Sequence, residues 1–186
     1  MLTLDDSEEK IDFENLTREE GDKLWDLGYA LIDTSGRTRS IQDNSCIAIA
    51  SKYCEHTVMY KSAVKKKVAG NLDKKLSKES RIAFMHSVGL AECLLKHLGD
   101  HPGVFICSDG HKIGRLKHYL KMIMGDQYDD NKIMIRRSLK LPFGKRNPAD
   151  RLAWSTVRNR NKPSQVLNDM HFRQFLVEKE SDSAEE

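Results

Sequence analysis

The sequence predicts an α/β fold, a five-stranded mixed sheet with helices on its faces, and three observations carry that prediction. Short apolar runs such as GYALID, SCIAIA and VFIC are bounded by Gly, Pro, Asn and Asp, as strands are. Two longer stretches repeat apolar residues at helical spacing: Phe84, Val88, Ala91, Leu95 and Leu98, then Ile113, Leu116, Leu120 and Ile123. Their order, β-β-β-α-β-α-β-α, places three closely linked strands before strands separated by helices. That order yields an antiparallel meander followed by parallel strands.

Each element has its own signal. Residues 1 to 15 are acidic and aperiodic, and read as a disordered segment. Thr17 with Glu20 forms a capping box for a short helix through Leu24 and Leu27, which Gly28 ends. Strand one is Tyr29 to Asp33, strand two Ser45 to Tyr53 and strand three Thr57 to Val64, the last running into the basic Lys65, Lys66 and Lys67. Asp73 or Ser77 caps a long helix reaching Leu98, with Gly99 as its stop. Strand four is Val104 to Asp109, and a helix follows from His111 to Met124. Strand five spans Lys132 to Leu139. Asn147 caps a further helix with Pro148 at its first position, running to about Arg160. Residues 164 to 177 pattern as one more amphipathic helix, and an acidic tail closes the chain. The organisation read from this is an acidic segment with a short helix over 1–27, a single domain over 28–162, and a helix with an acidic tail over 163–186.

Composition narrows the function. With 186 residues, 39% hydrophobic and 32% charged, the chain has room for one domain with its own core. No apolar run approaches the roughly 18 residues of a membrane span. The expectation is a soluble protein, cytoplasmic or otherwise intracellular, with no membrane partner. Cys46, Cys54, Cys93 and Cys107 form no CxxC pair, so buried thiols are expected rather than zinc or disulfides. The net charge of +3 conceals net −7 over residues 1–26, net −4 over 178–186 and +14 between them. A core that basic suggests a nucleic acid as partner, although a merely solvated surface is the other reading. The acidic ends and the last helix are candidate contacts for a protein partner. No Gly-rich phosphate loop of Rossmann or Walker type is present, which disfavours a small-molecule α/β enzyme.

Acids at element ends supply the candidate chemistry. Asp109 follows VFICS and precedes a helix, so it lies at the carboxyl edge of the sheet, where ligands of open α/β sheets collect. It also suits simple helix capping. Asp33 ends GYALID, and Asp150 stands in NPADRLAW near a helix start, where the helix dipole alone would favour it.

With these motifs in order, the chain resembles the ribonuclease H-like superfamily over roughly residues 28 to 160. VFICSDGHKIG is similar to the strand-four motif of type 1 ribonuclease H, and GKRNPADRLAW to its closing motif. The resemblance implies a ribonuclease H-like five-stranded sheet and a nuclease cutting DNA or RNA with two Mg or Mn ions. Carried over by motif, Asp33, Asp109 and Asp150 would be catalytic metal ligands. The spacing of Asp33, Glu92 and Asp109 also resembles NurA-type nucleases of the Piwi branch, which makes Glu92 the expected fourth ligand. Helical rise complicates that choice. A strand of about 17 Å matched by a helix rising 1.5 Å per residue puts His86 and Ser87 beside Asp109, with Glu92 about 8 Å short and Glu79 about 10 Å beyond. His111 stands nearest the proposed site, and His171 lies in the final helix; each is also an ordinary surface histidine. The basic His of type 1 enzymes is missing from RRSLKLPFGKR, and so is their glycine-rich first hairpin.

Nucleic-acid contacts are expected from Arg37, Arg39, Lys65, Lys66, Lys67, Lys112, Arg115, Lys117, Arg136, Arg137, Lys145 and Arg146. The alternative function is a noncatalytic nucleic-acid-binding or assembly protein that keeps the fold.

Overall fold

The computed structural model describes residues 17–36, 40–72, 76–137 and 147–181. The predicted capping box opens α1, Arg18–Asp26: Thr17 receives the Glu20 N–H, and the Glu20 carboxylate receives that of Thr17 at 2.6 Å. Three strands follow, β1 (Ala30–Gly36), β2 (Ser45–Ala50) and β3 (Glu55–Tyr60), paired antiparallel as predicted. Two helices come next, α2 (Ser62–Asn71) and α3 (Lys78–His97), the second capped by Ser77. The chain continues through β4 (Val104–Cys107), α4 (Ile113–Met124) and β5 (Ile133–Arg136). It closes with α5 (Pro148–Val157), β6 (Gln165–Leu167) and α6 (Asp169–Ser181).

The sheet has six strands rather than the expected five, in the order β5-β4-β1-β2-β3-β6. β4 lies parallel to both β1 and β5, and β6 lies parallel to β3. The sixth strand was hidden by its length. After Pro163 only three residues pair with β3, and Val166 and Leu167 also fit a helical stripe with Met170 and Phe175. Thr57 and Ser164 tie the join by reciprocal backbone-to-hydroxyl bonds of 2.8 and 3.1 Å. A second correction concerns residues 62–71, expected as the end of strand three plus a basic run. They form α2, because β3 stops at Tyr60 and Lys65 and Val68 then turn inward at helical spacing.

The two faces of the sheet bury different side chains. Ile32, Ile47, Ile49, Val58, Tyr60 and Ile106 face the main core with α3 and α4. The opposite face carries Cys46, Ala48, Ala50, Leu31 and Phe105, covered by α5 and α1 through Ala149, Ala153 and Leu24. Small residues there let α5 approach β1 and β2 closely. On the other side Gly89 does the same for α3, since a Cβ would lie 2.7 Å from Ile47 Cδ1. β1 therefore sits between β2 and β4, with its carboxyl end opening between two helical layers. That is the topological position where sheets of this kind bind ligands. Among the described residues no helix is long and apolar enough to cross a membrane.

Candidate active site at the carboxyl edge of the sheet

Asp33 lies in β1 opposite Ala48 of β2, and so points to the face that α5 covers. Asn147, the cap of α5, joins it to the second acid. Its Oδ1 accepts the Asp150 N–H at 2.8 Å, while its Nδ2 donates to Asp33 Oδ2 at 2.5 Å. The Thr34 N–H donates to the other Asp33 oxygen at 2.7 Å. One cap residue thus links two acids that are far apart in sequence.

Electrostatics at Asp33 follow from this placement. Burial pushes its carboxyl above the ordinary value, and the charge of Asp150 adds to that push. Hydrogen bonds from Thr34, Asn147 and the Cys107 thiol oppose it. The Asp150 charge opposes ionisation of Asp33, and a cation beside the two would relieve that repulsion.

The sequence suggests Asn147 as a helix cap within the closing motif and Cys107 as a buried thiol, but neither as a partner of Asp33. A signal for Asn147 was present, because an Asn three positions before an Asp can bond that residue's backbone while offering its amide elsewhere.

Asp109 follows the end of β4, the strand beside β1, as expected. It turns the chain with φ 46°, followed by Gly110 at φ 74°. Burial raises the pKa of the Tyr60 phenol, a group of the main core face, and the charge of Asp109 adds to that rise. There Tyr60 Oη lies 3.2 Å from His86 Nδ1, and the rings of His86 and His111 stack at 4.7 Å. Helical rise places His86 beside Asp109, and His86 is buried at 1% exposure, its Nε2 without a hydrogen-bond partner among the described residues. Burial holds its imidazole neutral, well below the usual histidine range.

Glu92 is not brought to these acids. Its carboxylate accepts the Gln165 amide at 2.9 Å, which fixes it under β6 at the edge of the sheet, three strands from β1. The sequence spacing that selected it measures chain length, not the position across the sheet that α3 occupies. Glu79 lines a cleft with Lys78, Ile82, His111, Lys112 and Arg115. His171 is remote as well, bonded to Asn168 at the start of α6.

The basic residues divide in the same way. Lys65 is corrected from a surface contact to a core residue at 1% exposure, with its amine on Ser45 Oγ at 2.6 Å and Ser40 C=O at 2.9 Å. It sits on the inward stripe of α2, and burial lowers its pKa to about 8. Lys67 pairs with Asp169 at 2.8 Å and Lys117 with Asp130 at 2.6 Å. Lys66 is exposed on α2. Lys112 and Arg115 line the Glu79 cleft, and Arg137 lines another with Ser108 and His111, so these three flank the turn after β4. Arg136 ends β5, partly buried. Arg37, Arg39, Lys145 and Arg146 lie outside the described residues.

Metal fit is tested by the donor set. Among the described residues no three His, Cys, Asp or Glu side chains converge as a metal cage. Asp33 and Asp150 supply hard oxygen donors from two carboxylates. Magnesium typically keeps several waters and binds through one or two carboxylates plus substrate phosphate, so this pair suits such a site and not a closed one.

No family model, curated protein or solved structure matches the chain.

Proposed function

We propose that the protein is a metal-dependent nuclease, hydrolysing phosphodiester bonds of DNA or RNA at the carboxyl edge of β1. The observation that carries this reading is the meeting of Asp33 and Asp150 through Asn147, with basic side chains beside the neighbouring turn. A ribonuclease H-like arrangement of the sheet belongs to the same proposal. Asp33 and Asp150 would hold magnesium or manganese, with Asp109 contributing from the end of β4. Such an ion supplies charge stabilisation at the phosphoryl oxygens and an activated water. Asn147 fixes the Asp33 carboxylate, and Lys112, Arg115 and Arg137 hold neighbouring phosphates by charge.

One observation favours a noncatalytic nucleic-acid-binding or assembly protein as the second reading. Among the described residues no three His, Cys, Asp or Glu side chains gather as a metal site. A gel assay on labelled single strands, duplexes, hybrids and branched DNAs with magnesium, manganese or EDTA separates the two readings. Metal-dependent cleavage is expected; binding without cleavage in either metal would favour the second.

A further inference from the structure

The outer face of α5 carries groups that the proposed metal site does not use. Trp154 is half-buried one turn beyond Asp150, about 6 Å along the axis at 1.5 Å per residue. The guanidinium carbons of Arg158 and Arg160 lie 5.7 and 4.7 Å from its ring centroid. This arrangement is built by the backbone rather than left to long side chains. After α5 the chain turns through Asn159 at φ 57°. The Arg160 N–H then bonds back to Ser155 C=O at 2.9 Å, and Asn161 Nδ2 bonds Ser155 Oγ at 2.9 Å. Trp154, Pro148, Arg151, Leu152, Ser155 and Asn161 line the adjoining cleft, with Glu55 its one acid among the described residues. Arg151, Arg158 and Arg160 are exposed, and none has a carboxylate within ion-pair distance among the described residues. Lys67, Lys117 and Lys121 do.

We propose that this face of α5 is a track for single-stranded nucleic acid, with one unpaired base stacked on Trp154 and flanking phosphates held by Arg151, Arg158 and Arg160. The choice of nucleic acid over another polyanion rests on the nuclease reading. The preference for a single strand rests on the indole. A paired base keeps its faces inside the duplex, whereas an unpaired base offers one to the ring, and such stacking tolerates any sequence. A surface cation–π contact is weaker than base–aromatic stacking, so a base displaces one guanidinium. The freed fork then takes a phosphate in bidentate fashion. The step from Trp154 to Asp150 matches one or two nucleotides at about 3.4 Å each. A strand stacked here therefore delivers a phosphate near its own end, or near a duplex junction, to the acid pair.

Tryptophan fluorescence tests the track on the full chain, which has two tryptophans, Trp25 and Trp154. EDTA blocks metal-dependent cleavage, and the probe is oligothymidylate of about ten nucleotides, within the usual single-strand site size. Quenching by the probe is expected. Trp154→Phe should abolish the quench yet keep affinity, measured by anisotropy of a labelled probe, because phenylalanine still stacks. Trp154→Ala should weaken binding roughly 5- to 150-fold. Arg158→Gln with Arg160→Gln should lower the slope of log affinity against log salt by about 1.4. Thermal melts confirm that each variant is folded. Absence of quenching, quenching that survives Trp154→Phe, or equal binding of a blunt duplex or polyglutamate would overturn the proposal. Cleavage in magnesium without quenching would overturn the track and leave the nuclease reading intact. Quenching without cleavage would support the track and count against the nuclease.

Discussion

Replacing Asn147 by alanine removes two interactions at once, and their sizes are separable. The lost cap on the Asp150 N–H costs about 1 kcal/mol. The lost amide donor to the Asp33 carboxylate, a charge-assisted bond inside a partly buried site, adds about 2 kcal/mol. Together they predict a loss near 3 kcal/mol, a fall in melting temperature of roughly 6–12 °C for a chain of this size. The loss should depend on pH in a defined direction. Asp33 has a carboxyl already raised by burial, and removing a lowering hydrogen bond raises it further. An acid whose folded pKa lies above its unfolded value destabilises the fold as pH rises through that folded value. The gap between wild type and Asn147→Ala should therefore widen as pH climbs through the raised Asp33 value of the wild-type fold, and narrow below it to the roughly 1 kcal/mol of the lost cap. Asn147→Asp completes the test. Aspartate keeps the cap but sets a third carboxylate against Asp33, so it should be less stable than wild type in EDTA and recover in millimolar manganese. Thermal melts across pH 3.5 to 8 measure all three proteins. A loss of only about 1 kcal/mol, independent of pH, would mean that the Asn147–Asp33 bond contributes nothing.

Two further substitutions examine the frame around the site. Lys65, held near pKa 8 by burial, is charged in the fold below that pH at a cost, so wild-type stability should rise between about pH 8 and 10.5. The ceiling is about 3 kcal/mol, nearer 2 after allowance for water reaching the amine. Lys65→Met should lack that rise in urea titrations at stepped pH; an identical rise in both proteins would refute it. Gly36 ends β1 with φ 89°, where an added Cβ would stand 2.3 Å from the Asn44 carbonyl oxygen. Gly36→Ala should lose about 1–3 kcal/mol, and an unchanged urea midpoint would show that this turn relaxes freely.

Most of the sheet was readable because its strands are punctuated and its helices periodic. β4 and α4 followed from VFIC, Gly110 and a clean apolar stripe, and α5 from Asn147-Pro148. The two missed elements have different causes. β6 has three residues, too few to show a period of two, and α2 carries a lysine on its buried stripe, which a polarity count reads as surface. The acids differ as well. Asp150 could be found because it stands in the first turn of α5, and Asp33 because it closes the apolar run GYALID, although β1 continues to Gly36. Glu92 could not be placed, since helical rise fixes height along a strand but not which strand the helix crosses. The same arithmetic did put His86 beside the turn after β4, where it stacks on His111. Asn147 escaped because a cap seemed to account for it fully, when its amide nitrogen still had a bond to make.

The proposed activity requires that Asp33 and Asp150 themselves carry catalysis. Turnover of a labelled single strand should be measured in magnesium and in manganese for wild type, Asp33→Asn, Asp109→Asn and Asp150→Asn, each shown to be folded by thermal melt. Asn147 still caps α5 in Asp150→Asn and only the first-turn charge is lost, so stability should change by about 1 kcal/mol or less. The account predicts near-complete loss of cleavage in the Asp33 and Asp150 variants, with single-strand binding retained or strengthened as negative charge is removed. Cleavage at the wild-type rate in folded Asp33→Asn and Asp150→Asn would contradict it.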